Sequence, residues 1–357
     1  MKLSISADSA RWLCVTAATA RVFFGIAIDP PELYSATWLA ALMGGVLVLP
    51  IGFAANAWTK KHSGMPYATL STACGKGAVR TLSFLWILVM TVDAASVAMG
   101  ITYSAGYVAL RSNSVLYLRT GLMLVVLYSV SMNGIGLGSS SRIWIKAFPL
   151  LMGVVILLQF SSYRFGFLAP ILGKNAATLL QGAFRSAGWY ASLFPIWLIA
   201  KPGRVHRQVN MVWSLGMSCG LATVLLLLLS MESPAMQGAI HTRVFQFDLL
   251  FANGRFPLAL QLPLIILWFI SLLYLLCSET FASAALLQAF LPKIHGRILI
   301  LVIVIGIFAV SLTRFSEREI TTFLSIWQYI AVWASFLALF LAAQIRKVGK
   351  SQCENAV

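Results

Sequence analysis

The chain has 357 residues, of which 60% are hydrophobic and only 10% charged, with a mean hydropathy of +0.87. Soluble domains carry about 25% charged residues, so this composition excludes a water-soluble fold and leaves an all-α integral membrane protein. The formal net charge of +16 does not signal nucleic acid, because the basic residues sit in short clusters between apolar runs and form no continuous face for a phosphate backbone.

A helix needs about 20 mostly apolar residues to cross a bilayer. Ten segments answer that description in chain order: 10–28, 36–58, 82–110, 115–136, 143–161, 183–200, 209–231, 258–280, 297–313 and 320–344. The third is long enough to tilt or to extend beyond the bilayer. The sixth is interrupted early by Arg185. Every loop is short, so the chain reads as a single transmembrane domain over 1–357. The first apolar segment lacks a small-residue cleavage site, and no cleavable signal peptide is expected. Sixteen Lys and Arg residues fall on the side of the N-terminus and nine on the other, which predicts that both termini are cytoplasmic. Ten spans divide into two fives, 10–180 and 181–345. An odd number of spans per half inverts the second half, which predicts a 5+5 inverted-repeat transporter fold.

Two charges fall deep within spans one and three. Arg21, in "TAATARVFFG", lies nine residues past Trp12, roughly 14 Å deep at 1.5 Å per residue. Asp93, in "VMTVDAAS", lies eleven residues past Leu82, about 16 Å deep by the same rise. Their matching depth predicts that they face each other in the bundle interior, where each offsets the other's burial cost. Such a pair either locks two helices together, or Arg21 binds a ligand carboxylate while Asp93 orients it or receives an ammonium. Glu279, near the inner end of span eight, is expected to be an interfacial acid in water. It becomes a candidate proton-coupling site only if span eight tilts and continues to Phe290.

The first span of each half has small residues beside an arginine, "TAATAR" and "GAFRSAG". Paired interruptions at such positions point to a midplane binding site. The expected lining is Thr19, Ala20, Arg21, Asp93, Ser186, Ala187 and Gly188, with close helix packing through small residues as the alternative reading of span six. "GMSCG" (216–220) matches a GxxxG helix contact. Five scattered cysteines show no metal or redox spacing, and the four histidines fall in loops. No nucleotide, zinc or nucleophile motif is present. No enzyme activity, metal or cofactor is expected.

Four stretches, in this order and spacing, carry a resemblance: "TWLAALMGGVLVL" (37–49), "SGMPYATLSTACGKGAVRTLSFLWIL" (63–88), "FGFLAPILGKNAATLLQGAF" (165–184) and "FQFDLLFANGRFPLALQLPLIILWFISL" (245–272). Together they resemble the B subunit of spore-germination nutrient receptors, a branch of the amino acid–polyamine–organocation transporter superfamily. The resemblance spans most of residues 10–290. Thr19, Ala20 and Arg21 stand where the superfamily often has glycines. Ala259 and Gln261 stand where the family often has an Arg-x-Glu pattern. Both departures leave the ligand open.

The resemblance implies a small-molecule germinant, often an amino acid, bound between broken spans one and six. It also implies an A-type membrane subunit and a C-type lipoprotein as partners in a spore inner membrane. A receptor subunit, an amino acid–proton symporter or exchanger coupled through Asp93 or Glu279, and a structural subunit with a degenerate pocket all remain open.

Overall fold

The computed structural model describes residues 3–25, 36–62, 64–105, 115–132, 134–159, 165–169, 175–191, 193–201, 210–232, 258–313, 323–324, 326–328 and 330–342. Loop residues central to the orientation count, such as Arg111, Arg204, Arg243 and Arg314, lie outside them. The helices are α1 (Ala7–Gly25), α2 (Thr37–Lys61), α3 (Pro66–Cys74), α4 (Lys76–Ala105), α5 (Val115–Ser131), α6 (Gly134–Gln159), α7 (Ala176–Ala191), α8 (Leu193–Leu198), α9 (Met211–Glu232), α10 (Leu258–Phe290), α11 (Gly296–Ser311) and α12 (Ile326–Ala342). A two-residue parallel ladder pairs β1 (Ile5–Ser6) with β2 (Ala200–Lys201).

The protein is a multi-pass helical membrane protein. By length and composition, four helices among the described residues can cross a bilayer: Thr37–Lys61, Lys76–Thr102, Met211–Leu228 and Phe269–Phe290. A fifth is counted if Val115–Ser131 and Gly136–Leu151, bent by 108°, form one broken span. The apolar window of α10 is 78% buried and that of α4 67%, against 44% for α2 and α9. The α4–α10 pair is therefore the centre of the bundle, and α2 and α9 flank it. Large apolar side chains stand exposed on the periphery, among them Val46, Phe53, Phe84, Leu124 and Ile305. A soluble protein would bury such faces; here they suit lipid.

Local chemistry sets the helix ends. Ser6 Oγ accepts from the Ser9 amide at 3.2 Å, Asn175 Oδ1 from Thr178 at 2.8 Å, and Asn210 Oδ1 from Trp213 at 3.0 Å. Each side chain satisfies one of the amide groups that a first helical turn leaves unpaired. Gly75, at φ +88°, separates α3 from α4 with a backbone geometry that glycine adopts without strain.

Several expectations need correction. Residues 66–81 are not loop: Pro66 opens α3 at its first turn, where a missing amide costs nothing. α1 runs unbroken through Thr19, Ala20 and Arg21. "GAFRSAG" is likewise helical, within α7 (Ala176–Ala191); α8 starts at Leu193, and Ser192 lies outside the described residues. Gly216 and Gly220 meet nothing within 4 Å in the Cβ direction. The close approach is instead at Gly45, where an added Cβ would lie 3.0 Å from Cys219 Cβ.

Candidate functional site

Small residues prepare the site. Ala17, Ala18 and Ala20 on α1 and Ala94, Ala95 and Ala98 on α4 are at most 1% exposed. On α10, Ser278, Ala282 and Ala284 flank Glu279 and are fully buried. Small side chains let helix axes approach closely in a membrane. That leaves room at one level for a long guanidinium and two carboxylates.

Arg21 Nη2 pairs with Asp93 Oδ2 of α4 and with Glu279 Oε1 of α10. The three side chains are only 4%, 1% and 1% exposed. Gln328 of α12 donates from Nε2 to Asp93 Oδ2 at 3.1 Å. Its other end lies against Gly188 of α7, where an added Cβ would sit 2.8 Å from Gln328 Oε1. Arg21 Nε, Asp93 Oδ1 and Glu279 Oε2 have no hydrogen-bond partner among the described residues. Five helices thus converge on one ionic cluster.

The expected facing of Arg21 and Asp93 is present. Glu279 is a correction: it is not an interfacial acid. α10 continues a further eleven residues to Phe290, so Glu279 lies well inside the helix, and it shares the arginine. A boundary placed at residue 280 hid this, because the run "FASAALLQAF" is apolar enough to extend the span.

The charge count decides what the cluster can do. Arginine stays charged in proteins, whereas each carboxylate can hold a proton. With both acids ionised, the cluster carries one surplus negative charge in a region that penalises uncompensated charge heavily. One proton, or one ligand cation, makes it neutral.

The remaining expected site residues behave differently. Ser186 and Ala187 are buried, but they pack on α2, where a Cβ on Gly44 would fall 2.6 Å from Ser186 Cβ and 2.7 Å from the Ala187 amide nitrogen. That is the small-residue packing alternative. Thr19 and Ala20 are buried within continuous helix. None of these seven expected residues lines the cavity that the structure contains.

That cavity is small, with room for about one water, and is lined by Val48, Ile51, Trp86, Tyr190, Phe194 and Ser335, among others. Tyr190 lies near the end of α7 and Phe194 in α8. Trp86 and Ser335 each lie seven residues from the cluster, measured from Asp93 and Gln328, which is about 10 Å of helix rise. The polar groups here are already engaged. Trp86 Nε1 donates to Ser335 Oγ at 3.0 Å, Ser335 Oγ donates to the Ala331 carbonyl at 2.7 Å, and Tyr190 donates to the Ala41 carbonyl at 3.2 Å. The cavity therefore offers an apolar, aromatic surface. Tyr190 stood in the sequence beside "RSAG"; Trp86 and Phe194 carried no signal distinguishing them from core aromatics.

A second arginine in the interior is Arg119, which falls within the fourth expected span, 115–136. In the structure it is 5% exposed in α5. It donates to Thr102 Oγ1 at 3.4 Å and to the Ser311 carbonyl at the end of α11, where a helix carries partial negative charge.

No family model matches the chain, and no curated protein does. Among solved structures, a Na+-coupled sialic acid symporter in a substrate-bound outward-open state is similar over 93% of this chain and 72% of its own, at 14% identity and a TM-score of 0.43. At that level the likeness assigns neither family nor substrate.

Proposed function

We propose that this protein is a solute-binding membrane protein of transporter type and, more finely, the membrane subunit of a nutrient germinant receptor that takes a small amino-acid-like ligand. On this reading it has ten spans in two five-span repeats, 10–180 and 181–345, cytoplasmic termini, and A-type and C-type subunits as partners in a spore inner membrane. The sequence resemblance over residues 10–290 supports the finer part. The observation that carries the coarser part is the buried Arg21–Asp93–Glu279 cluster, which reaches α7 through Gln328 and Gly188. Charges inside a membrane are costly and mark ligand or ion sites by default.

The chemistry that fits is an amino acid with an apolar side chain, its charged head at the cluster and its side chain toward Trp86, Tyr190 and Phe194. Two protein acids already share Arg21 Nη2, so a ligand carboxylate that takes this nitrogen displaces one of them. The displaced acid, left without its cation, then takes a proton. This exchange favours a second reading, an amino acid–proton symporter or exchanger, because ligand and proton would arrive together.

Binding of a labelled amino-acid panel to the detergent-purified protein, paired with counterflow uptake in proteoliposomes, tests both. Saturable binding of apolar amino acids without uptake, lost in Arg21→Gln and weakened in Phe194→Ala, is the receptor outcome. Uptake accompanied by proton entry is the symporter outcome. Neither binding nor uptake by folded protein would overturn both readings in favour of a structural subunit with a degenerate pocket.

A further inference from the structure

A second charged cluster lies at the other end of α1, near the β1–β2 ladder. Asp8 Oδ1 lies 3.4 Å from Arg11 Nη2, and Asp8 Oδ2 lies 3.8 Å from Arg142 Nη1 of α6. The Arg11 guanidinium stands 5.0 Å from the Trp12 ring centre and 4.6 Å from that of Trp213 on α9. Arg142 lies 5.9 Å from the Trp12 ring, and the two tryptophans meet edge to face at 5.5 Å.

Three observations converge here. Two guanidiniums share one carboxylate, which leaves one positive charge over. Arg142 and Arg11 remain 53% and 34% exposed, so that charge is accessible. Arg11 Nε and Trp12 Nε1 are shielded N–H donors with no partner among the described residues. Unpaired donors, surplus charge and aromatic rings thus lie together where α1, α6 and α9 meet.

We propose that this arginine–tryptophan cluster where α1, α6 and α9 meet binds the phosphate of an anionic phospholipid headgroup. An arginine fork matches phosphate oxygens. Tryptophans settle at the membrane–water interface, where a headgroup lies. Basic pockets between spans on the cytoplasmic side are the places where anionic headgroups bind, and the basic-residue count predicts that this end is cytoplasmic. A lipid is preferred over free phosphate because α9, which supplies Trp213, is long and apolar enough to cross a membrane.

The test titrates phosphatidylglycerol, phosphatidylcholine or inorganic phosphate into the full chain in uncharged detergent. Retained lipid is read by native mass spectrometry and the unfolding midpoint by thermal scanning. Phosphatidylglycerol is expected to be retained and to raise the midpoint, and phosphatidylcholine is not. Arg142→Gln, at an exposed position compatible with folding, weakens retention about fivefold, the effect of one basic residue at a membrane surface. Arg11→Gln with Arg142→Gln abolishes the preference. Lys293→Gln, an exposed basic residue beyond α10, leaves it unchanged. Equal retention of both lipids, or an equal loss in Lys293→Gln, would overturn the site. Full protection by inorganic phosphate would overturn the lipid as its occupant.

Discussion

One helix, α1, carries two arginine–carboxylate clusters of opposite composition. At its start, Arg11 and Arg142 share Asp8, with side chains 34% to 53% exposed. Fourteen residues into the helix, Arg21 alone serves Asp93 and Glu279, with side chains at most 4% exposed. The first cluster is one charge positive and open to its surroundings; the second is one charge negative and enclosed. The same chemical groups have different consequences because the surroundings differ. Exposed ion pairs are screened and contribute little, while enclosed ones are costly to form and more costly to break.

The largest expected effect comes from removing the shared arginine. Arg21→Ala leaves two carboxylates facing each other without a cation and should destabilise the protein by about 3 to 5 kcal/mol, read by denaturation in detergent. A cost no greater than that of an exposed pair would break the contrast. Next is Glu279→Gln, which leaves one acid per arginine and abolishes the surplus charge. Its cost should be smaller, about 1 to 3 kcal/mol for a disturbed enclosed hydrogen bond. Any dependence of ligand binding on pH should flatten in this variant. If Glu279→Gln destabilises as much as Arg21→Ala, the surplus-charge account fails. Smallest is Asp8→Asn, expected to change stability by at most about 1 kcal/mol. Raising salt to about 1 M, where screening acts within about 3 Å, should erase that difference and leave the Arg21→Ala effect intact.

The two clusters also differed in how far they could be read beforehand. Arg21 and Asp93 each interrupt an apolar run, and helical rise placed them at one depth, so their meeting was legible from spacing alone. Glu279 was not, because its depth depends on where α10 ends, and an apolar continuation gives no sharp boundary. Gln328 carried no charge to draw attention. Arg11, Arg142, Trp12 and Trp213 all stood in the sequence, but on three different helices, and nothing local records that those helix ends meet. Span six shows the same limit: the small residues of "GAFRSAG", which could have marked a break, serve packing against Gly44. Small residues permit either outcome, and only the neighbouring helix selects one.

Composition and periodicity by themselves determined that this chain lives in a membrane, roughly where its apolar helices lie, and that charges at matched depths must compensate each other. These follow from the bilayer as a solvent, which acts on each segment separately. Tertiary structure alone decided that Arg21 has two acids rather than one, that the aromatic cavity lies about 10 Å of helix rise from them, and that α1, α6 and α9 gather arginines and tryptophans at one end. Those facts depend on which helix faces which. That is settled by close packing of side chains far apart in the chain, which no single segment encodes.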